Sequence, residues 1–244
     1  MATKAKQLKL DLRTWGGQRK RAGRKPKGAR AGVPHASRPK LAARHPVHAT
    51  LRVLPHVWNL RSRRCFSAIA AAFAGGRERD GFRLIQFSVQ GNHLHLVVEA
   101  RDAESLSRGM QGLTIRMAKR LNRVMGRRGP VFADRYHEHV LRSPSEVVRA
   151  LAYVLGNFAV HARRRGDGSV DAEVDSYCSV SVEVRLGPGP PLVSEPRTWL
   201  LCTGWSQGCV TRRRASLHAW CVLKDDKKHA VRASPNQRVK VPSR

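Results

Sequence analysis

The sequence is poor in acidic residues, in long apolar runs and in paired cysteines. Only 17 Asp and Glu stand against 47 Lys and Arg, so the formal net charge is +30. No apolar run approaches the ~20 residues that a membrane-spanning helix needs, and no signal-peptide pattern is visible. The five cysteines form no Cys-x-x-Cys pair, and reduced thiols in a cytoplasmic protein are the simplest account of them. A membrane protein and a disulfide-built secreted domain are therefore disfavoured.

The basic residues are concentrated at the N-terminus. Residues 1–45 hold 14 Lys and Arg against a single acid, Asp11, with scarcely any hydrophobic periodicity. Such a segment is typical of a disordered arm that binds nucleic acid. Within it, "GRKPKGAR" resembles an AT-hook, which makes Arg24, Lys25 and Lys27 candidates for DNA contact. A generic basic tail accounts for the segment equally well.

The hydrophobic pattern predicts one folded domain over residues 46–166. Alternating and helical periodicities follow each other as strand, helix, β-hairpin, helix, strand and helix. The predicted elements cover residues 47–54, 59–76, 82–90 with 91–100, 103–126, 129–142 and 143–166. This order predicts an α+β fold with a ferredoxin-like antiparallel sheet, packed helices and an appended third helix. Residues 167–244 read as a C-terminal extension with a Pro/Gly linker and a weakly ordered basic tail.

Two histidines stand two residues apart in "GNHLHLVVEA", residues 91–100. Because successive side chains of a strand point to opposite faces, His93 and His95 share one face, about 7 Å apart at the backbone. They could converge on one metal ion. For a bare His-x-His pair, two hydrogen-bonded histidines on a sheet surface are the more common arrangement. Glu99 lies on the same face, where a salt bridge is favoured over a metal contact.

The third predicted helix carries Tyr153 and Asn157 one turn apart. At 100° per residue its apolar stripe lies nearly opposite this pair, and it consists of Val147, Val148, Leu151, Leu155 and Phe158. A core tyrosine would have joined that stripe, so the offset favours a functional role for Tyr153. Two imidazoles and an amide oxygen could hold a divalent cation beside a phenol, and tyrosine can act as a covalent nucleophile on phosphorus.

Taken together, "GNHLHLVVEA", "GPVFADRYH" and "YVLGN" resemble the HUH endonucleases, and among them the REP-associated tyrosine transposases of bacteria. The resemblance runs from about residue 44 to residue 161. It implies that His93, His95 and Asn157 bind Mg²⁺ or Mn²⁺ and that Tyr153 attacks single-stranded DNA. The expected product is a covalent 5′-phosphotyrosine with a free 3′ hydroxyl, formed at hairpins of palindromic repeats. Imidazole ligands by themselves would favour softer ions such as zinc, so the choice of metal rests on the resemblance.

Further candidates for DNA contact are basic or aromatic residues outside this set. They are Arg116, Lys119, Arg120 and Arg123 on the second helix, Arg135 and Tyr136 before the third, and Arg149 on it. A solvated basic face accounts for the helical set equally well, and core packing is favoured for Tyr136. Tyr177 and Ser179 are weaker candidates, and His137, His139 and His161 show no partner pattern.

Three functions remain open at this point. The first is a metal-dependent DNA strand transferase. The second is a non-catalytic DNA-binding regulator with the same fold, and the third is a hydrolase that uses the two histidines with Glu99. The expected partner is single-stranded or hairpin DNA rather than a membrane, in a cytoplasmic protein that is a monomer or a homodimer.

Overall fold

The computed structural model describes residues 40–165, 175–181 and 189–207, with side chains described for all of these except 157–165. The first core element is strand β1 (Val47–Arg52), and helix α1 (Arg63–Ala74) follows it. The remaining elements of the domain are β2 (Glu78–Arg79), β3 (Phe82–Val89), β4 (His93–Ala100), α2 (Ala103–Val124), β5 (His137–Val140) and α3 (Pro144–Arg165). A π-helical turn (Leu200–Gly204) and one further helical turn (Trp205–Gln207) lie near the C-terminal limit of the described residues. Most of the basic arm, with Arg24, Lys25 and Lys27, and the basic tail beyond residue 207 lie outside the described residues.

The five strands form one antiparallel sheet in the order β2-β3-β4-β1-β5. Strand β1 therefore lies between the second strand of the β3–β4 hairpin and the last strand of the domain. This is the ferredoxin-like arrangement that the order of elements predicts, extended at one edge by the two-residue strand β2. The predicted α+β class is confirmed.

Alternation along the strands separates two hydrophobic layers. On one face, Leu94, Leu96 and Val98 of β4 are fully buried in a core that α1 and α2 cover. On the other face, Val97 packs with the apolar stripe of α3. The members of that stripe with described side chains are Val147, Val148, Leu151, Val154 and Leu155. Helices α2 and α3 therefore cover opposite faces of the sheet.

Two elements are shorter than the segments predicted for them. Helix α1 begins after Ser62, whose hydroxyl accepts from Cys65 N, because the preceding residues form a turn in which Arg61 N donates to the Asn59 side chain. Strand β5 covers only the end of the predicted segment 129–142. In the first part of that segment, Phe132 forms an isolated bridge with Val53. The two-residue strand β2 was not predicted, since so short a segment has no periodicity to detect.

The start of α3 is built as its sequence predicts. Ser143 N donates to Glu146 Oε2 at 3.2 Å, and Glu146 N donates to Ser143 Oγ at 3.3 Å. This reciprocal pair is a capping box, and Pro144 occupies the first turn, where no N–H is needed. Backbone N–H donation from Arg142 and Ser143 holds the pKa of Glu146 below its ordinary value. The helix that carries Tyr153 therefore has a well-defined beginning.

Two described pieces of the C-terminal extension pack onto the domain. Asp175 forms a two-point ion pair with Arg61, at 2.8 and 2.9 Å. Glu99 is buried, and it accepts from Arg83 at 2.6 Å, from Thr198 N at 2.8 Å and from Thr198 Oγ1 at 2.7 Å. These buried carboxylates fasten the extension to the sheet. Among the helices that the structure describes, none combines the length and apolar character needed to cross a membrane.

Candidate active site

Strand β4 places His93 and His95 on the face that α3 covers, as the alternation predicts. The two rings are nearly perpendicular, with their centroids 4.8 Å apart. His95 is only 3% exposed, whereas His93 is half-buried and lies 2.8 Å from the side chain of Asn92 through Nδ1. Two imidazoles at this separation on one face can each contribute a nitrogen to the same cation.

Tyr153 of α3 faces these histidines from the opposite layer. Its ring centroid lies 5.0 Å from that of His95, in an edge-to-face arrangement. Because Leu151 and Leu155 hold the helix to the sheet through its other side, Tyr153 keeps 47% of its surface exposed. The predicted offset of Tyr153 from the apolar stripe is confirmed, and it leaves the phenol beside the histidine pair and open to solvent.

Strand β1 adds two residues that sequence reasoning missed. His48 Nε2 and Thr50 Oγ1 each lie 3.2 Å from His95 Nδ1. Thr50 stands directly opposite His95 in the β1–β4 register, and His48 stands opposite Val97, one diagonal step away. The His48 ring is also 5.9 Å from that of Tyr153. His48 therefore lies against both His95 and Tyr153.

The environment of His48 disfavours its charged form. Burial lowers the pKa of His48 to about 4, with smaller contributions from His139 and His137. At neutral pH the ring is then uncharged, so one of its nitrogens can accept a hydrogen bond. His48 Nε2 is thus suited to accept a hydrogen bond from His95 Nδ1.

The two histidines of β5 belong to the same face. His48 pairs with His139 and Thr50 pairs with His137 in the β1–β5 register, and both β5 rings are exposed. Both histidines are exposed, as surface residues are, and the β1–β5 register adds that they lie on the face of the site. Their alternation in "HEHV" is a signal, but only the strand register connects it to the site.

The residues around Tyr153 on α3 are partly described. Arg149 is exposed and lies one turn before Tyr153, which places a cationic side chain on the same face of the helix. Asn157 lies one turn after Tyr153 along the same helix, and its side chain is outside the described part of the chain, as is that of His161. The expected roles of Asn157 and Arg149 remain predictions.

His93 and His95 could bind a divalent cation whose remaining ligands come from other groups. Within residues 40–165, 175–181 and 189–207, no three His, Cys, Asp or Glu side chains are grouped so as to hold a metal ion. His93 and His95 supply two nitrogens on one face, and oxygen donors would have to complete the set. Asn157 or the phosphate of a substrate could provide them.

Glu99 does not belong to this donor set. Both its oxygens are engaged by Arg83 and by backbone and side-chain donors of Arg197 and Thr198. The salt bridge that the sequence favoured for Glu99 is confirmed, and the carboxylate is occupied in holding the extension.

The other tyrosines have structural surroundings. Tyr136 is 6% exposed and packs in the core that α1 and α2 cover, which is the packing role that the sequence favoured. Tyr177 packs edge-on against Phe66, with the guanidinium of Arg61 4.1 Å from its ring centroid. Ser179 Oγ donates to Gln86 Oε1 and bonds the backbone of Phe87. Arg135 is half-buried.

The basic residues of α2 are not gathered at Tyr153. Arg116, Lys119, Arg120 and Arg123 are exposed, but α2 covers the sheet face opposite to the one that carries His93 and His95. The sheet therefore separates this basic surface from the tyrosine.

Comparisons with known proteins give distant likenesses of fold. No family model matches the chain, and no curated protein does. One solved structure, a REP-associated tyrosine transposase bound to a REP hairpin, is 14% identical, with a TM-score of 0.46 over 68% of this chain and 93% of that one. Another, a bacterial tRNA(His) guanylyltransferase-like protein in complex with GTP, is 12% identical, with a TM-score of 0.35 over 55% of this chain and 73% of the other. Both likenesses are distant and concern the fold alone.

Proposed function

We propose that the protein is a metal-dependent endonuclease and transposase that cleaves and rejoins single-stranded DNA through Tyr153. The observation that carries this proposal is the position of the exposed Tyr153 ring, 5.0 Å from buried His95 and on the same side of the sheet as His93. The resemblance of the sequence to the REP-associated tyrosine transposases names hairpins of palindromic repeats as the substrate. The net charge of +30 supports a polyanionic partner.

The proposed step is an in-line displacement at one phosphodiester. The Tyr153 hydroxyl gives up its proton to solvent, and its oxygen bonds to phosphorus while the bond from phosphorus to the 3′ oxygen breaks. The 3′ oxygen takes a proton and leaves as a hydroxyl, and the 5′ phosphate stays on the tyrosine. Rejoining is the reverse, with a 3′ hydroxyl as the nucleophile.

His93, His95 and Asn157 would hold the Mg²⁺ or Mn²⁺ that this reaction needs. A divalent cation held there would polarise the phosphoryl oxygen and orient the leaving group. His95 would bind through Nε2, because its Nδ1 faces His48 and Thr50. An imidazole held through its other nitrogen has its ring orientation and tautomer set before the ligand arrives.

A hairpin oligonucleotide labelled at its 3′ end tests the proposal directly. The fragment on the 3′ side of the cut stays on Tyr153 through its 5′ phosphate, so the label stays with the adduct. Incubation with Mn²⁺ should give an adduct that survives denaturant, and Tyr153→Phe should abolish it. Tyr136→Phe and Tyr177→Phe are matched controls, because they remove the hydroxyls of the other two tyrosines and should leave the adduct on Tyr153. Product released without an adduct, at a rate indifferent to Tyr153, would contradict the proposal.

A second candidate is a DNA-binding regulator that keeps the fold without the chemistry. The observation in its favour is the net charge of +30, which supports binding to a polyanion whether or not any chemistry follows. The same assay separates the two, because wild-type protein that binds the hairpin and gives no adduct with Mn²⁺ or Mg²⁺ would be the regulator.

A further inference from the structure

The end of α2 and the start of α1 form a basic surface around an exposed tryptophan. Trp58 keeps 45% of its surface exposed, and the guanidinium of Arg64 lies 5.5 Å from the centre of its ring. Arg64 Nη2 also donates to the carbonyl of Val124 at 3.3 Å, which ties the first turn of α1 to the last turn of α2. The indole is therefore held at the junction of the two helices.

A stripe of cations leads to this junction along α2. Lys119 and Arg120 each lie three or four residues from both Arg116 and Arg123, so the four share one side of the helix, and all four are exposed. From residue 105 to residue 133 the chain has seven Lys and Arg and no acidic residue. Residues 52–77, which include Trp58 and α1, have no acidic residue either. The surface thus combines positive charge with an aromatic ring, and neither of these two segments contributes an acidic residue to it.

We propose that this surface, formed by Trp58, Arg64, Arg120 and Arg123, is a second nucleic-acid site that binds an unpaired strand. A grooved or flat basic surface with an exposed aromatic ring is how proteins bind single strands, because phosphates take the cations and a base stacks on the ring. Arg64 lies within the distance at which a guanidinium is attracted to an indole, and this contact limits the motion of the ring before a base arrives.

The site is separate from the Tyr153 site. Helix α2 packs on Leu94 and Leu96, whereas Tyr153 faces His95 across the other side of the same strand. One DNA segment at the tyrosine and another on the α1–α2 surface would be held on opposite faces of the sheet. Binding here does not require that Tyr153 be a nucleophile, so the two proposals can fail independently.

The test measures binding of full-length protein carrying Tyr153→Phe, which removes the proposed chemistry from every measurement. The probes are a fluorescent 20-nucleotide oligo-dT, an abasic strand of equal length and an oligo-U of equal length. Trp58→Ala should weaken oligo-dT binding about 5- to 100-fold, which is the range for loss of one stacked base. It should change binding of the abasic strand less than about twofold, since that probe has no base to stack.

The cations are tested by salt dependence. Arg120→Gln with Arg123→Gln should lower the slope of log affinity against log salt by about 2, about one for each lost phosphate contact. Arg101→Gln with Arg108→Gln is the matched control, because both arginines are exposed but face the acids Asp80, Asp102 and Glu104. That control should leave the slope unchanged.

The DNA and RNA probes show which kind of strand the surface binds. Equal losses with oligo-dT and oligo-U support a site for unpaired strands of either kind, and a loss with one alone identifies the strand. Loss of abasic binding equal to the loss of oligo-dT binding, or an effect of Trp58→Ala within twofold on every probe, overturns the proposal. Trp58→Phe, which keeps an aromatic ring, should bind oligo-dT more tightly than Trp58→Ala does, and it serves as the folded reference if Trp58→Ala does not fold.

Discussion

His48 Nε2 lies 3.2 Å from His95 Nδ1, across the pairing of strands β1 and β4. Two facing imidazole nitrogens can form a hydrogen bond only if one carries a proton and the other does not. Because burial keeps His48 uncharged at neutral pH, its Nε2 can accept while His95 Nδ1 donates. Under the proposed function, this arrangement would leave Nε2 of His95 to bind the cation, with His48 as a positioning residue.

His48→Gln should weaken binding of Mn²⁺ to the metal-free protein. The substitution removes the ring that orients His95, and loss of such an orienting partner lowers metal affinity about 10- to 100-fold in other sites. Thr50→Val removes the other contact of His95 Nδ1, and the double variant should bind more weakly than either single variant. Calorimetric titration with Mn²⁺ measures the affinity without any DNA. Unchanged affinity in the double variant would show that neither residue orients His95.

Arg149→Gln should slow formation of the covalent adduct. Arg149 is exposed one turn before Tyr153, so its charge is placed to attract the phosphate that Tyr153 is proposed to attack. We expect a loss of about one unit from the salt slope of binding and a defect that shrinks as salt is raised. Adduct formation measured at several salt concentrations checks this, with Arg108→Gln as a control whose guanidinium pairs with Glu104. A defect of equal size at every salt concentration would contradict an electrostatic role.

Glu99→Gln should destabilise the fold by about 3 kcal/mol. The change leaves the half-buried Arg83 without a counter-charge, and breaking an ion pair with a buried member typically costs about that much. It also weakens the acceptor for Arg197 N and Thr198 N, which hold the C-terminal extension to the sheet. Urea unfolding measures the loss. Glu104→Gln, which breaks an exposed ion pair with Arg108, should change stability by less than about 0.5 kcal/mol.

The Glu146 carboxylate should make the stability of α3 depend on pH. Its pKa is lowered in the folded protein by donation from Arg142 N and Ser143 N. The stabilisation is therefore present above the ordinary pKa of a glutamate and is lost as the pH falls through the lowered value. The difference in unfolding free energy between wild type and Glu146→Gln should shrink as the pH falls below about 5, since the ordinary pKa of a glutamate is about 4.3. Ser143→Ala should cost about 1 kcal/mol and show no comparable pH dependence.

Local periodicity in the sequence was sufficient to predict how two parts of the site are oriented. The period of two along a strand places His93 and His95 on one face whatever sheet the strand joins. The period of 3.6 along a helix places Tyr153 away from its apolar stripe whatever that stripe packs against. Both expectations depend on neighbours a few residues apart, and both are confirmed in the structure. The capping box at Ser143 and Glu146 is local in the same sense.

Contacts between distant segments could not be predicted from local periodicity. His48 and His95 are 47 residues apart, and their contact depends on which strands pair and in what register. A shift of one residue in that register would turn His48 to the other face. The same reasoning applies to Glu99 and Thr198, whose contact spans 99 residues. No period within either segment carries that information.

By itself, the sequence determined the class of fold, the order of elements, the strong positive charge and the facing of His93, His95 and Tyr153. Each of these follows from composition or from a period within one segment. Only the tertiary structure decided that His48 joins the histidine pair, that Glu99 is used to fasten the extension, and that the basic side of α2 lies behind the sheet. These depend on register and on which face each helix covers, and both are set by packing between segments far apart in the chain.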